Sequence, residues 1–214
     1  MLFLTGPHGA GKTIAAMFLK KHGFLYIDLG PCLRAIKKCT CPNGTFAEWC
    51  LSSEKKFGKQ FTDKITASII DITTAHIRQS DHYFIDAVVV GSRSYTNIDF
   101  IRNNTNYSKQ NKNSIIIYID APIELLRERY NSREGIRLSK NQFRALLNRD
   151  LKMGLNQIKK YANYTVKNMD TKSKFLKGIH DIVIDKYSSI YESQCEGLKT
   201  HMVAKLYVKN KKTS

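Results

Sequence analysis

A chain of 214 residues that is 42% hydrophobic can bury one domain-sized core with a small insertion or two, and none of its apolar runs reaches the length of a membrane span. Thirty-five lysines and arginines against eighteen acids give a formal charge of +17, which needs either a polyanion partner such as nucleic acid or a phosphate-handling site within a lysine-rich surface. The basic residues are spread along the chain rather than blocked, which favours the phosphate site over nucleic acid.

Taken in order, Met1-Leu2-Phe3-Leu4-Thr5 reads as a short buried strand, and its position at the start leaves no room for a leader, so a cytoplasmic chain with no membrane contact is expected. Five cysteines, an odd count, are then expected to stay reduced. Directly after the strand, Gly6-Pro7-His8-Gly9-Ala10-Gly11-Lys12-Thr13 fits G-x-x-x-x-G-K-[ST], and a helix-compatible stretch from Thr13 to His22 closes at Gly23. Strand, glycine loop and helix together form a phosphate cradle. The glycines let successive N–H groups face one anion, and the helix N-terminus adds partial positive charge there. Gly6, His8, Gly9, Ala10 and Gly11 are therefore expected to hold ATP, Lys12 to reach its outer phosphates, and Thr13 to ligate Mg²⁺.

Phe24 to Asp28 predicts a second buried strand that delivers Asp28 to the carboxyl edge of a sheet, where open α/β sheets bind ligands. Pro31 suits the first turn of the next helix, and Arg34, one turn in, is a candidate grip for an acceptor phosphate. Cys39, Cys41 and Cys50 lack the second pair that a zinc site needs and read as free thiols in an insertion. Two helical pieces are expected between Thr45 and Arg78. Phe46, Trp49 and Cys50 share a face of the first, and Ile65, Ile69, Ile72 and His76 form the core stripe of the second.

His82 to Val90 predicts the third strand, with Tyr83-Phe84-Ile85-Asp86 resembling an apolar run that ends in a metal-holding acid; Asp86 is thus a candidate Mg²⁺ residue. Gly91-Ser92-Arg93 follows, placing Arg93 at the sheet edge as a second acceptor clamp. Ser94 to Asn104 is expected to be helical and Asn103 to Asn113 a polar loop.

Ser114 to Asp120 is the clearest strand, and Ala121-Pro122 opens a helix expected to run to about Asn131. Arg127, Arg129, Arg133 and Arg137 gather at its end and in the loop after it. Arginines around a mobile loop suit charge developing on a transferring phosphoryl group, and Arg129 and Arg133 are the candidates for that chemistry. Ser139-Lys140-Asn141-Gln142 is a capping box that opens another helix. Tyr164-Thr165-Val166 is the expected last strand, Phe175 to Ile190 supplies the apolar positions of a final long helix, and the chain turns basic beyond Cys195.

The N-terminal P-loop, Gly30-x-x-Leu33-Arg34, the helical insertion, Gly91-Ser92-Arg93 and Arg129…Arg133 together resemble the nucleoside monophosphate kinase superfamily, from Met1 to about Ile190. Gly23-Phe24…Ile27-Asp28 and Ala162 to Asn168 look most like dephospho-coenzyme A kinases and related archaeal kinase-like proteins. This chain has Asn163, Gly30 and Val90 where acids stand in those families. The resemblance implies a three-layer α/β fold with a parallel five-stranded sheet flanked by helices. A kinase domain over residues 1–195 would carry an acceptor-binding insertion at about 38–80 and an arginine-bearing lid at about 130–140, followed by a basic tail at 196–214. It also implies ATP–Mg²⁺ as donor and a small nucleotide-like acceptor. In that scheme Lys12, Asp28, Arg129 and Arg133 are catalytic, and Arg34 and Arg93 bind the acceptor.

Overall fold

The computed structural model describes residues 1–80, 84–110 and 113–194, with side chains as far as residue 187. Two units divide the chain, Met1–Met169 and Asp170–Ser214. In the first unit the order is β1 (Leu2–Thr5), α1 (Lys12–Lys21), β2 (Leu25–Asp28), α2 (Leu29–Thr40), α3 (Phe46–Phe57), α4 (Phe61–Gln79), β3 (Ala87–Val90), α5 (Tyr95–Asn104) and α6 (Asn106–Gln110). There follow β4 (Ile115–Asp120), α7 (Ile123–Glu134), α8 (Lys140–Asp150), a π-helical turn at Leu151–Leu155, α9 (Asn156–Tyr161) and β5 (Tyr164–Lys167). In the second unit, α10 (Lys172–Gln194) carries Phe175, Ile179 and Val183 at helical spacing; the basic tail at 196–214 lies outside the described residues.

All five strands are parallel, in the order β2-β3-β1-β4-β5. Both faces of the middle of such a sheet are covered, so its three central strands are continuously apolar: Leu2 to Leu4, Ala87 to Val90 and Ile115 to Ile119 are all buried. Phe3, Ile27, Val89, Ile116 and Tyr118 point to one face, where they form a core with Ile70 of α4, Ile98 and Ile101 of α5, and Ile158 of α9. The alternate residues look to the other face, on which α1 packs with Ala15, Ala16 and Leu19 buried. β1 therefore leads to a helix on one face and its neighbour β3 to a helix on the other. That is a topological switch point, the place where ligands bind in open α/β sheets. The expected three-layer fold is what the chain forms.

Four local expectations are corrected. The third strand begins at Ala87, because its register sets Val88 against Leu2 and Val90 against both Leu4 and Asp28; His82 and Tyr83 lie outside the described residues. Asp86 thus sits at the amino edge of the sheet. The loop expected over Asn103–Asn113 contains α6, whose first N–H groups, from Asn106 and Tyr107, donate to the Asp71 carboxylate of α4 at 3.0 and 3.1 Å. On α4 the buried face is Thr66, Ala67, Ile70 and Thr74, while Ile72 is 69% exposed and His76 is exposed. The two threonines go inside because their hydroxyls donate to the Asp63 and Ile70 carbonyls, both at 2.8 Å. Finally, α7 runs past Asn131 to Glu134. Gly135 caps it with φ 67°, and the Asn131 amide clasps Leu138 across the turn at 3.1 and 3.2 Å. The lid expected at about 130–140 is here a helical arm, α7 and α8, joined by a short tied turn.

Candidate active site

The loop from Gly6 to Thr13 crosses the carboxyl edge of the sheet between β1 and α1. Gly6 and Gly9 have φ of 137° and 80°, and a Cβ on either would run into a main-chain carbonyl, that of Ile119 or of Leu126. Only glycine allows the loop to lie this close to β4 and α7. α1 starts at Lys12 with no side-chain cap and no acid in its first turn, so its N–H groups and partial positive charge remain for an anion. Lys12 folds back over the loop, its Nζ donating to the Gly6 and Pro7 carbonyls at 2.8 Å each. Burial, then the Arg93 guanidinium, push its pKa down to about 8.

Above the loop opens a cleft of about 550 Å³ lined by Lys12, Thr13, Asp28, Arg34, Arg93 and Arg133 among others. Asp28 caps α2 by accepting from Gly30 N at 3.1 Å, and its other oxygen accepts from the Tyr26 hydroxyl at 3.0 Å. Burial, with Asp28 beside it, raises the Tyr26 phenol to about 12. Thr13 and Asp28 thus both present oxygens to the cleft, with Tyr26 bonded to Asp28. At the exit of β3, Gly91 at φ 107° sits against Leu29 and Gly30, which turns Ser92 and Arg93 into the cleft. Ser92 is 8% exposed, and among the described residues its hydroxyl has no partner.

Arg93 Nη1 donates to Asp150 Oδ1 at 3.2 Å, and Asp150 Oδ2 stands 3.3 Å from His8 Nε2. Burial, reinforced by Arg93, Lys12 and Arg133, pushes His8 down to about 3, so the imidazole beside Asp150 is neutral. Burial also raises Asp150, with Arg93, Arg149 and Lys12 opposing. On α7, Arg133 is gripped by Glu134 at 2.7 Å and lies over the Tyr130 ring, whose edge meets His8.

The expected site residues are thus distributed unequally. Gly6, His8, Lys12, Thr13, Asp28, Arg34, Arg93 and Arg133 line one cleft, with Gly9, Ala10 and Gly11 in the loop beneath. Arg129 does not line it. Its guanidinium holds the Asn168 carbonyl at 3.0 Å and the Asn168 side-chain oxygen at 3.4 Å, and the Asn168 amide donates to Ala10 O at 2.8 Å. Asp86 lies at the opposite edge, where it accepts from the Met1 amino group at 2.5 Å, Tyr107 Oη at 2.6 Å and Ala87 N at 2.7 Å. Its place at the amino end of a parallel strand keeps it from the phosphate loop, which is the physical reason it cannot hold a metal beside Thr13. Tyr26, Ser92, Tyr130, Asp150 and Asn168 belong to the site or support it without having been singled out. Of these, Tyr26 had a readable signal, since it stands two residues before Asp28 and so shares its face of β2.

The residues present fit a nucleoside triphosphate. Glycines that a Cβ would displace, an uncapped helix N-terminus, Lys12 and an orphan Ser92 hydroxyl all face the same space. They also fit Mg²⁺ held in part by phosphates. The nearby donors are hard oxygens, Thr13 and Asp28, and among the described residues no cluster of three or more His, Cys, Asp or Glu offers a metal cage.

A glycine loop at the switch point of a parallel sheet, beneath an arginine-lined cleft, is an arrangement whose fold can be set beside those of solved proteins. Solved structures agree with it in fold. A gluconokinase from Sinorhizobium meliloti 1021 superposes with a TM-score of 0.56 at 12% identity, over 91% of this chain and 97% of its own. Shikimate kinase from Acinetobacter baumannii, in complex with shikimate, gives 0.52 at 19% identity over 88% and 93%. Shikimate kinase from Bacteroides thetaiotaomicron gives 0.52 at 13% over 87% and 97%. No protein-family model matches the sequence, and no curated protein matches it. Among the described residues no helix is long and apolar enough to cross a membrane.

Proposed function

We propose that this protein transfers the γ-phosphoryl group of ATP to a small nucleotide-like acceptor, in the first place a nucleoside or deoxynucleoside monophosphate. The observation that supports this reading is the convergence of Lys12, Arg34, Arg93 and Arg133 on one nucleotide-sized cleft above the phosphate loop. In such a transfer an acceptor oxygen forms a bond to the γ-phosphorus, the bond to the bridging oxygen breaks, and ADP leaves. The protein's part is alignment and charge neutralisation. The glycine loop and Lys12 hold the donor, Arg34 and Arg93 hold the acceptor, and Arg133 reaches the transferring group from the arm. Mg²⁺ held at Thr13 would neutralise charge on the donor phosphates.

A second reading has its own support. An acceptor phosphate arrives ionised and needs no base, but a hydroxyl acceptor such as the ribose of dephospho-coenzyme A must lose a proton. Asp28 is a carboxylate in the cleft, oriented by Tyr26 and Gly30. Replacing Asp28 with Asn separates the two. With a phosphate acceptor, kcat should fall modestly; with a hydroxyl acceptor it should fall about a hundredfold or more. Labelled γ-phosphate that appears only as free phosphate, in wild type and variant alike, would count against both.

A further inference from the structure

Asp150 is the last residue of α8 and is 4% exposed, yet its carboxylate faces the cleft. One oxygen accepts from the Arg93 guanidinium at 3.2 Å and the other lies 3.3 Å from Nε2 of the His8 imidazole. One acid therefore bridges the loop that cradles the donor and the residue that faces the acceptor. Its own position is fixed by the wide turn that follows. Gly154, with φ 112°, packs so tightly on Ser94 that a Cβ there would stand 3.3 Å from both Ser94 Cα and Cβ. The turn at Leu151–Leu155 is thus seated on the segment that carries Arg93, and Asp150 cannot drift from it.

An acid in a cleft built for phosphates would repel its ligand unless its charge were met. Arg93 meets it. Asp150 takes a single N–H of a guanidinium that has five, and so leaves the others aimed in one plane. A proton on His8 Nε2 would face the Asp150 carboxylate 3.3 Å away and leave Nδ1 as the acceptor nitrogen, with the ring beside Tyr130. We propose that Asp150 is a positioning residue, acting through His8 and Arg93 to hold the donor loop and the acceptor clamp in register. The inference rests on the phosphotransfer reading above. Misalignment of about 1 Å between reacting groups costs on the order of a hundredfold in rate, which sets the scale of what such registration supplies.

The test uses Asp150→Asn, which keeps shape and loses charge, and Asp150→Ala. With an acceptor that turns over, Asp150→Asn should lower kcat/KM for that acceptor by about tenfold to a hundredfold, while KM for ATP and the melting temperature stay close to wild type. Arg93→Lys should then cost less on the Asp150→Asn background than on the wild type, because the two residues act as a unit. Additive losses, or a fall in melting temperature with kinetics intact, would overturn the proposal. A second readout needs no turnover. In nucleotide-free protein the His8 ring ¹⁵N shifts should report the Nε2–H tautomer in wild type and a mixture in Asp150→Ala. Unchanged shifts would sink the positioning role. An Nε2–H signature that is lost in the variant, in a protein that phosphorylates no acceptor, would uphold the bridge and remove the kinase reading instead.

Discussion

The side-chain amide of Asn168 donates to the main-chain carbonyl of Ala10 at 2.8 Å, so the exit of the last strand is tied to the middle of the phosphate loop. Arg129 stands behind this contact and holds both oxygens of Asn168. That places Arg129 among the supports of the donor loop, whereas Arg133, one helical turn on, reaches the cleft itself.

The two arginines should therefore fail differently. Arg129→Met should raise KM for ATP about tenfold, the equivalent of one charge-assisted hydrogen bond, and lower the melting temperature with kcat nearly unchanged. Arg133→Met should leave stability alone and lower kcat about a hundredfold, as loss of a donor to developing charge does. Steady-state kinetics with thermal unfolding on both variants checks this, and equal kcat losses would contradict it.

Lys12 gives a pH signature with two opposite signs. Its folded pKa is about 8 against an ordinary 10.5. In the free protein the ammonium is lost as pH rises through about 8, so kcat/KM for ATP should fall there. Between about 8 and 10.5 the unfolded chain binds more protons at this lysine than the folded chain, so this group's contribution to stability rises with pH. Below that window the full cost of burying the ammonium is present. Lys12→Met should thus abolish turnover, be more stable than wild type at pH 7, and lose that advantage towards pH 10. Denaturant titrations at the two pH values decide it, and a variant less stable at pH 7 would refute the assignment of cost.

Asp86 makes a negative control for the site. Removing one partner from a buried, hydrogen-bonded ion pair costs about 3 kcal/mol, so Asp86→Asn should be markedly destabilised. Its kcat and its dependence on Mg²⁺ concentration should match wild type below the unfolding temperature. A raised Mg²⁺ requirement would return Asp86 to the metal site.

What the sequence made legible was local. The cradle from Gly6 to Thr13 could be read because strand, glycines and helix follow one another within a few residues, and Asp28, Arg34 and Arg93 because Asp28 ends a strand and the two arginines come soon after one. Asp86 was misplaced because an apolar run does not disclose where a strand begins. That is decided by pairing of Ala87 with Leu25 and of Val88 with Leu2, which lie far off in the chain. α6 was invisible because its cap, Asp71, belongs to another helix. Asp150 and Asn168 left no periodic trace, since each gains its role from partners that only the fold brings near, as the sequence separation of 158 from Ala10 to Asn168 shows.

The most direct test of the central claim is ADP production from ATP–Mg²⁺ across ribo- and deoxynucleoside monophosphates and dephospho-coenzyme A, beside a no-acceptor control and added DNA or RNA. Phosphotransfer in this cleft predicts turnover with one acceptor or one close group of them, little in the control, and none with Lys12→Met. Equal turnover in every well, or turnover stimulated only by nucleic acid, would contradict it and make the protein an ATPase whose +17 charge serves a polyanion.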